Sequence, residues 1–473
     1  MFIKIYLINI KNHCTFNNEG FILMFNTNIK NNHMRSDPEI VILVEHISRE
    51  FSIACILKMI LEKKYKSSVH IQSIWDTSNL NKIKPKLLLT PFFRSLNSIV
   101  FPFVYKWSDA KIINLCYEQV FRSHQLKFRE PKGEFTKNNV THICWGEKFK
   151  DFLISNGVKN KNVKVNGNLQ YQLYKKPYNE IYFNKEYLSK KYNLSKNKKW
   201  ILFPENYGAI FGGDKSVTNP VPEDKLTSEK VKTFVENSFD KTMKWVDRFS
   251  HLNDVEIIIR PRPMTPKENL VKAYKNINGK ISKNVYFIKE DKARDWILSS
   301  DVIISNYSTT LIESSLADKS TYMLEPFQFP KFMISDWYEF IPKLNSFKDL
   351  NAINMNNISN TDKLKRWASK NISPDLDVIN VLCSYLNEEL SNYKSQNNDI
   401  EKYYINDSVD IPKPKGLVYH TKKLVSNMLR KSNMPRFYKK DYHLHHEISE
   451  LDKITNEKIS DEIYRWDKLL GYE

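Results

Sequence analysis

Between Val255 and Glu325 the sequence repeats one unit, a short apolar run followed by a longer amphipathic stretch. The runs are Ile257-Ile258-Ile259, Val285-Tyr286-Phe287-Ile288, Val302-Ile303-Ile304 and Thr321-Tyr322-Met323-Leu324. Each is too short for a buried helix, and none alternates apolar with polar. A strand without alternation is buried on both faces, which marks a parallel sheet covered by helices above and below.

The first half keeps the same rhythm. Strands are expected at Ile40–Val44, Val69–Ile74, Lys86–Leu89, Ala110–Leu115, Val140–Trp145 and Val163–Val165. A helix carrying Phe51, Ile53, Ala54, Leu57, Ile60 and Leu61 is expected through Lys64. A second is expected to carry Phe93, Leu96 and Val100. At 473 residues the chain has room for two such α/β domains and a tail. The expected layout is an irregular extension over 1–38, a Rossmann-like domain over 39–175 and a charged helical connector over 176–199. A second Rossmann-like domain follows over 200–335, then helices over 336–395 and a linker with a basic helical tail over 396–473. No G-x-G-x-x-G fingerprint follows any of these strands, which disfavours ordinary dinucleotide binding.

In open parallel sheets ligands bind outside the carboxyl ends of the strands. The strand ending at Ile259 delivers Arg260-Pro261-Arg262-Pro263 there. The prolines fix the backbone beyond the strand, and two guanidiniums form a fork suited to phosphate or carboxylate. The strand ending at Ile304 delivers Ser305-Asn306-Tyr307-Ser308-Thr309, with Ser308 as the expected N-cap of a helix carrying Glu313. Free amides at a helix start, with hydroxyls nearby, favour an anion. Glu313 is placed to accept hydrogen bonds from ribose hydroxyls. The strand at Trp200–Phe203 ends in Pro204-Glu205-Asn206-Tyr207-Gly208, so Asn206 and Gly208 join the candidate donor site. The loop beyond, with Gly212-Gly213, Pro220 and Pro222, reads equally as a mobile lid or a surface excursion. Together these loops fit a nucleotide-activated sugar. The plainer alternatives are surface ion pairs for the arginines, a simple cap for Ser308 and a solvated Glu313.

In the first half, Glu45 and Glu118 fall at expected strand ends, and Arg49 lies one turn beyond Glu45. A carboxylate at such a place can act as general base on an acceptor hydroxyl, and Arg49 would keep Glu45 ionised and oriented. A helix-start ion pair and an ordinary loop residue are the alternatives. No metal is required, because two cations and a helix dipole can hold a phosphate.

The formal net charge is +19, which fits solubility, an anionic membrane surface, an acidic glycan or nucleic acid. Between Ile411 and Asp441 nine Lys or Arg accompany the apolar stripe Leu417, Val418, Leu424, Val425, Met428 and Leu429. That stretch fits either a membrane-surface helix or a terminal helix packed on the body. The dispersed charge and the lack of a binding module argue against specific nucleic-acid recognition. Cys14, Cys55, Cys116, Cys144 and Cys383 are scattered and show no metal spacing, so reduced thiols in the cytoplasm are expected. His443-Leu444-His445-His446 lacks accompanying ligands for a metal. No run of about 18 apolar residues is present.

At Glu45-His46-Ile47-Ser48-Arg49-Glu50, Trp145-Gly146-Glu147, Arg260-Pro261-Arg262-Pro263 and Ser305-Asn306-Tyr307-Ser308-Thr309 with Glu313, the chain resembles a family. It is similar to the GT-B type proteins of bacterial surface-carbohydrate biosynthesis, among them capsule and lipopolysaccharide glycosyltransferases and Kdo transferases. The later half is also similar to CDP-glycerol glycerophosphotransferases, but Arg262 stands where those carry His, and Asn306 where they carry Asp. Both departures weigh against polyol-phosphate transfer. The resemblance implies two Rossmann-like domains facing across a cleft, with a nucleotide-sugar donor, CMP-Kdo-like among the options, held mainly by the second. The expected partners are a nucleotide-sugar donor and a glycan or lipid-linked acceptor, with no cofactor beyond the substrate, and the expected location is cytoplasmic, with the inner face of the plasma membrane as an option. A CDP-polyol phosphotransferase, a sugar-nucleotide 2-epimerase on the same fold, and a basic nucleic-acid-binding protein remain the alternatives.

Overall fold

The computed structural model describes residues 37–211, 225–403 and 453–472, apart from positions 78, 97, 122–124, 264, 356–357, 397, 399 and 401–402. The N-terminal extension, the Gly212-Gly213 loop, the basic stretch 411–441 and the 443–446 histidines lie outside the described residues, save positions 37 and 38.

The first lobe is a six-stranded sheet of β1 (Ile40–Val44), β2 (Val69–Ser73), β3 (Leu87–Thr90), β4 (Lys111–Asn114), β5 (Val140–Cys144) and β6 (Val163–Val165). The strands run parallel in the order β2-β1-β3-β4-β5-β6. Every residue of β1 is buried, as its unbroken apolar run requires. The chain leaves β1 towards one edge and returns to its other side as β3, so the direction of winding reverses between β1 and β3.

The second lobe holds β7 (Lys199–Pro204), β8 (Val255–Arg260), β9 (Val285–Phe287), β10 (Val302–Ser305), β11 (Ser320–Leu324) and β12 (Lys343–Leu344). They are parallel in the order β12-β11-β10-β7-β8-β9. Read from the β9 edge this is 3-2-1-4-5-6, the doubly wound order whose switch point lies between its first and fourth strands, here β7 and β10. The two-lobed α/β architecture expected of a GT-B type chain is therefore present.

The crossovers that matter for the site are α1 (Ser52–Tyr65), α2 (Glu147–Ser155), α3 (Lys225–Leu252), α4 (Lys267–Asn278), α5 (Ala293–Ser299) and α6 (Thr310–Leu316). After α7 (Asp362–Asn371) the chain returns to the first lobe. There α8 (Val378–Ser391) and α9 (Asn456–Leu470) pack on α1. Trp466 of α9 is fully buried between Tyr178 and Tyr182, and Lys63 of α1 binds Asp467 at 2.7 Å. The final helix is thus part of the first lobe's core and not a free tail. At the crossing, Gly146 caps α2 directly against the Asn371 carbonyl, where a Cβ would collide with backbone. Only glycine lets the end of α7 come this close.

Two local expectations differ from the structure. Phe93 and Leu96 are buried in a loop, and the helix begins only at Phe101. The Arg94 carbonyl accepts from the Lys132 amide at 2.7 Å instead of from its own next turn, so tertiary pairing overrides the helical spacing. The connector holds one helix, Lys185–Tyr192, and a short turn at Tyr178–Ile181, while Lys199 already belongs to β7.

Candidate functional site

At the carboxyl end of the second sheet, β7 is flanked by β8 and β10, so three strand ends meet. Ser305 at the end of β10 is fully buried and donates its hydroxyl to the Pro204 carbonyl at the end of β7 (2.7 Å). Glu205, 2 % exposed, receives the amides of Tyr207 and of Arg262, the latter at 3.2 Å. A buried carboxylate thereby ties the loop after β7 to the loop after β8. In the sequence Glu205 is marked only as an acid placed directly beyond a strand end.

The two arginines part company here. Arg260 turns outward from its strand and donates to the Glu290 carbonyl at 2.8 Å and the Asp291 carbonyl at 2.6 Å. Burial pulls its pKa down, against the attraction of Asp295 and Asp291. Its guanidinium is used to hold the turn before α5, where Asp291 takes a left-handed φ of 60°. Arg262 is half-buried, and among the described residues nothing accepts from its guanidinium. It lies against Gly208, where an added Cβ would collide with Nη1. Gly208 is therefore a gap that the Arg262 guanidinium fills.

The turn after β10 supplies the facing groups. Ser308 Oγ accepts from the Thr310 amide at 3.3 Å and donates to the Thr310 hydroxyl at 3.0 Å. The helix boundary falls at Thr309, which is exposed, so Ser308 caps from one residue further out than expected. Asn306 is 1 % exposed, and its side chain meets the Tyr207 hydroxyl. Tyr307 packs edge-on against Phe329 at 6.0 Å. Asn206 is half-buried, with no side-chain hydrogen bond among the described residues.

Glu313 has a different setting from the one expected. Its carboxylate accepts from the Tyr174 hydroxyl, beyond the first lobe's last strand, and burial raises its pKa against the pull of Tyr174 and Arg294. The Arg294 guanidinium stacks 4.8 Å from the Tyr174 ring and donates to Tyr182 at 3.0 Å and the Gln170 carbonyl at 3.1 Å. This is a junction between the lobes, so Glu313 is committed to it and not left for a ribose.

In the first lobe the strand ends gather an ion network. Arg49 Nη2 binds Glu45 and Glu50, each at 2.7 Å, and Nη1 approaches Glu118 at 3.4 Å. Glu50 lies in a π-helical turn, Ile47–Phe51, and its carboxylate accepts the Glu45 amide at 2.6 Å and the His46 amide at 3.3 Å. Such turns recur at functional sites. The expected Glu45–Arg49 pair is present, but its electrostatic consequence differs from expectation. Burial raises the Glu45 pKa, and the attraction of Arg49 and His46 only partly offsets it. Glu118 has Arg94 at 3.6 Å and Arg129 closer still. Neither arginine was singled out from the sequence, because nothing local marks them.

Two surface grooves, about 650 Å³ along α7 and about 440 Å³ along α4, are each lined by one helix and involve neither set of strand ends.

No family model matches the chain, and no curated protein matches it in sequence. Solved structures resemble it in shape. The Anabaena protein HepE in complex with UDP-glucose shares 10% identity over 75% of this chain and 99% of its own, with a TM-score of 0.42. A UDP-N-acetylglucosamine 2-epimerase shares 13% over 76% and 98%, with a TM-score of 0.48. The wall teichoic acid polymerase TagF shares 10% over 76% and 90%, with a TM-score of 0.45. Likenesses this distant assign neither ligand nor residue.

Proposed function

We propose that the chain is a glycosyltransferase that moves a sugar from a nucleotide-sugar donor to a glycan or lipid-linked acceptor. The reading is supported above all by Arg262, a guanidinium without an acceptor among the described residues, which follows β8 and lies against Gly208 in the loop after β7, a strand that borders the switch point of a 3-2-1-4-5-6 sheet. Arg262 would neutralise charge developing on the donor's phosphate, with the Ser308–Thr309 turn supplying donors beside it. Asn206, half-buried and without a side-chain hydrogen bond among the described residues, would orient the same ligand. A divalent metal is not required by this scheme.

Glu45 would take the proton from the acceptor hydroxyl. Its raised pKa makes it a stronger base than an ordinary carboxylate, and the Glu50 and Arg49 contacts fix its position. The acceptor oxygen then bonds to the anomeric carbon, the bond from that carbon to the phosphate oxygen breaks, and the nucleotide departs with the electron pair. No described helix is long and apolar enough to cross a membrane; action at the cytoplasmic face of the plasma membrane belongs to the same proposal.

The test is a thermal-shift panel of CMP, UDP, GDP and CDP compounds on the full chain. One base is expected to stabilise, and Arg262→Ala to abolish that shift. Glu45→Gln should keep the shift and lower kcat at least about a hundredfold, as general-base loss does. Consumption of the donor without any acceptor would instead favour an epimerase, and a panel with no stabilising nucleotide would refute the donor site.

A further inference from the structure

The turn after β4 is built rigidly and ends in an unusual charge arrangement. Cys116 holds a left-handed φ of 46°, a conformation that costs a non-glycine residue energy and is met where surroundings impose it. Gln119 braces the turn, donating to the Cys116 carbonyl at 3.0 Å and the Ile143 carbonyl at 2.8 Å while accepting from the Trp145 amide at 2.8 Å. The Phe121 carbonyl accepts from Ser335 Oγ of the second lobe at 3.0 Å, so the turn faces the junction between the lobes.

This frame presents Glu118, 46% exposed, to three guanidiniums that arrive from three separate segments. Arg49 is already committed to Glu45 and Glu50. Arg94 and Arg129 are not: among the described residues, Glu118 is the only carboxylate that pairs with either. Two guanidiniums offer about ten N–H donors between them, and one carboxylate supplies two oxygens. The pair therefore has donors to spare, in a planar fork geometry suited to a second anion. The Lys132 amide to Arg94 carbonyl bond keeps their two loops side by side, and Arg129 is further held 5.3 Å from the Phe121 ring.

We propose that Arg94 and Arg129 form a subsite for an anionic group of the acceptor, a carboxylate or a phosphate, with Glu118 occupying it in the empty protein. The inference rests on the glycosyltransferase reading and adds the acceptor's chemical class to it. Arg49 touches both Glu118 and Glu45, so the acceptor's anion would lie within one arginine's span of the base. The acceptor hydroxyl and its neighbouring charge are thereby placed together. Glu118, held by three cations, is a stand-in for substrate and not the base.

The proposal is tested by calorimetric titration of the full chain carrying Arg262→Ala, which silences the donor site. One arm uses oligogalacturonate, a carboxylate source, and the other geranyl phosphate, a lipid phosphate. One probe is expected to bind, identifying the source. Glu118→Gln should tighten that binding about fivefold by removing an ion-pair competitor. Arg94→Ala with Arg129→Ala should weaken it at least about tenfold. If the double alanine variant does not fold, Arg94→Lys with Arg129→Lys keeps the charge and loses the fork, and should weaken binding at least about threefold. Binding of neither probe, or affinities unchanged in Glu118→Gln and in the folded arginine variant, overturns the subsite. The nucleotide thermal shift, measured with Arg262 intact, is untouched by Glu118→Gln, so failure of the subsite is distinguishable from failure of the donor reading.

Discussion

Gly208→Ala isolates the role of Arg262 without touching it. The added methyl would occupy the position of the Arg262 Nη1 region, and the flexible guanidinium is the element that yields. Gly208 opens a short helix, Gly208–Phe211, with no left-handed φ, so alanine there gains up to about 1 kcal/mol of helix propensity. Fold stability should therefore hold or rise slightly. Binding should suffer, because a displaced guanidinium loses its charge-assisted hydrogen bonds to phosphate, worth about 1.5–3 kcal/mol. That corresponds to a roughly ten- to hundredfold weaker Kd for the nucleotide. The assay pairs calorimetric titration of the stabilising nucleotide with a urea melt of the same preparation. A Gly208→Ala protein that melts like the parent and binds with parental affinity would refute the assignment of Arg262 to the phosphate.

Arg260→Ala should act in the opposite sense. It removes two hydrogen bonds to the Glu290 and Asp291 carbonyls, so the urea midpoint falls, by about 2 kcal/mol of stability, while nucleotide affinity of the folded protein stays within about threefold. Selective loss of affinity would return Arg260 to the donor site. Acid should weaken the first lobe through His142, which is 1% exposed between Asn114 and the Thr136 carbonyl. Burial lowers its pKa from 6.5 to about 4. Between those values the unfolded chain binds the extra proton, so stability is unaffected above about pH 6.5 and declines as pH falls towards 4, by about 2 kcal/mol at pH 5. Urea melts at pH 7 and pH 5 should show that decline reduced in His142→Gln; an equal decline in both proteins would contradict it.

The layering of both lobes is legible in the order of residues. Unbroken apolar runs such as Ile40–Val44 and Val302–Ile304 require strands covered on both faces, and the helical stretches between them supply the cover. The order of residues also placed Glu45, Arg262 and Ser308 in loops just beyond strand ends, because local order is enough to see that. Which of those groups remain available depends on contacts between distant segments. Arg260 and Arg262 are two residues apart and chemically identical, yet one meets two carbonyls from a distant turn and the other meets a glycine from a different strand end. Glu313 meets Tyr174, 139 positions away, and α9 closes the first lobe from the far end of the chain. Arg94 becomes a partner of Glu118 only once parallel pairing sets β3 beside β4. Hydrophobic periodicity is a short-range property of the chain; strand neighbours, and hence the partners of each charge, are fixed by packing between segments that the period does not relate.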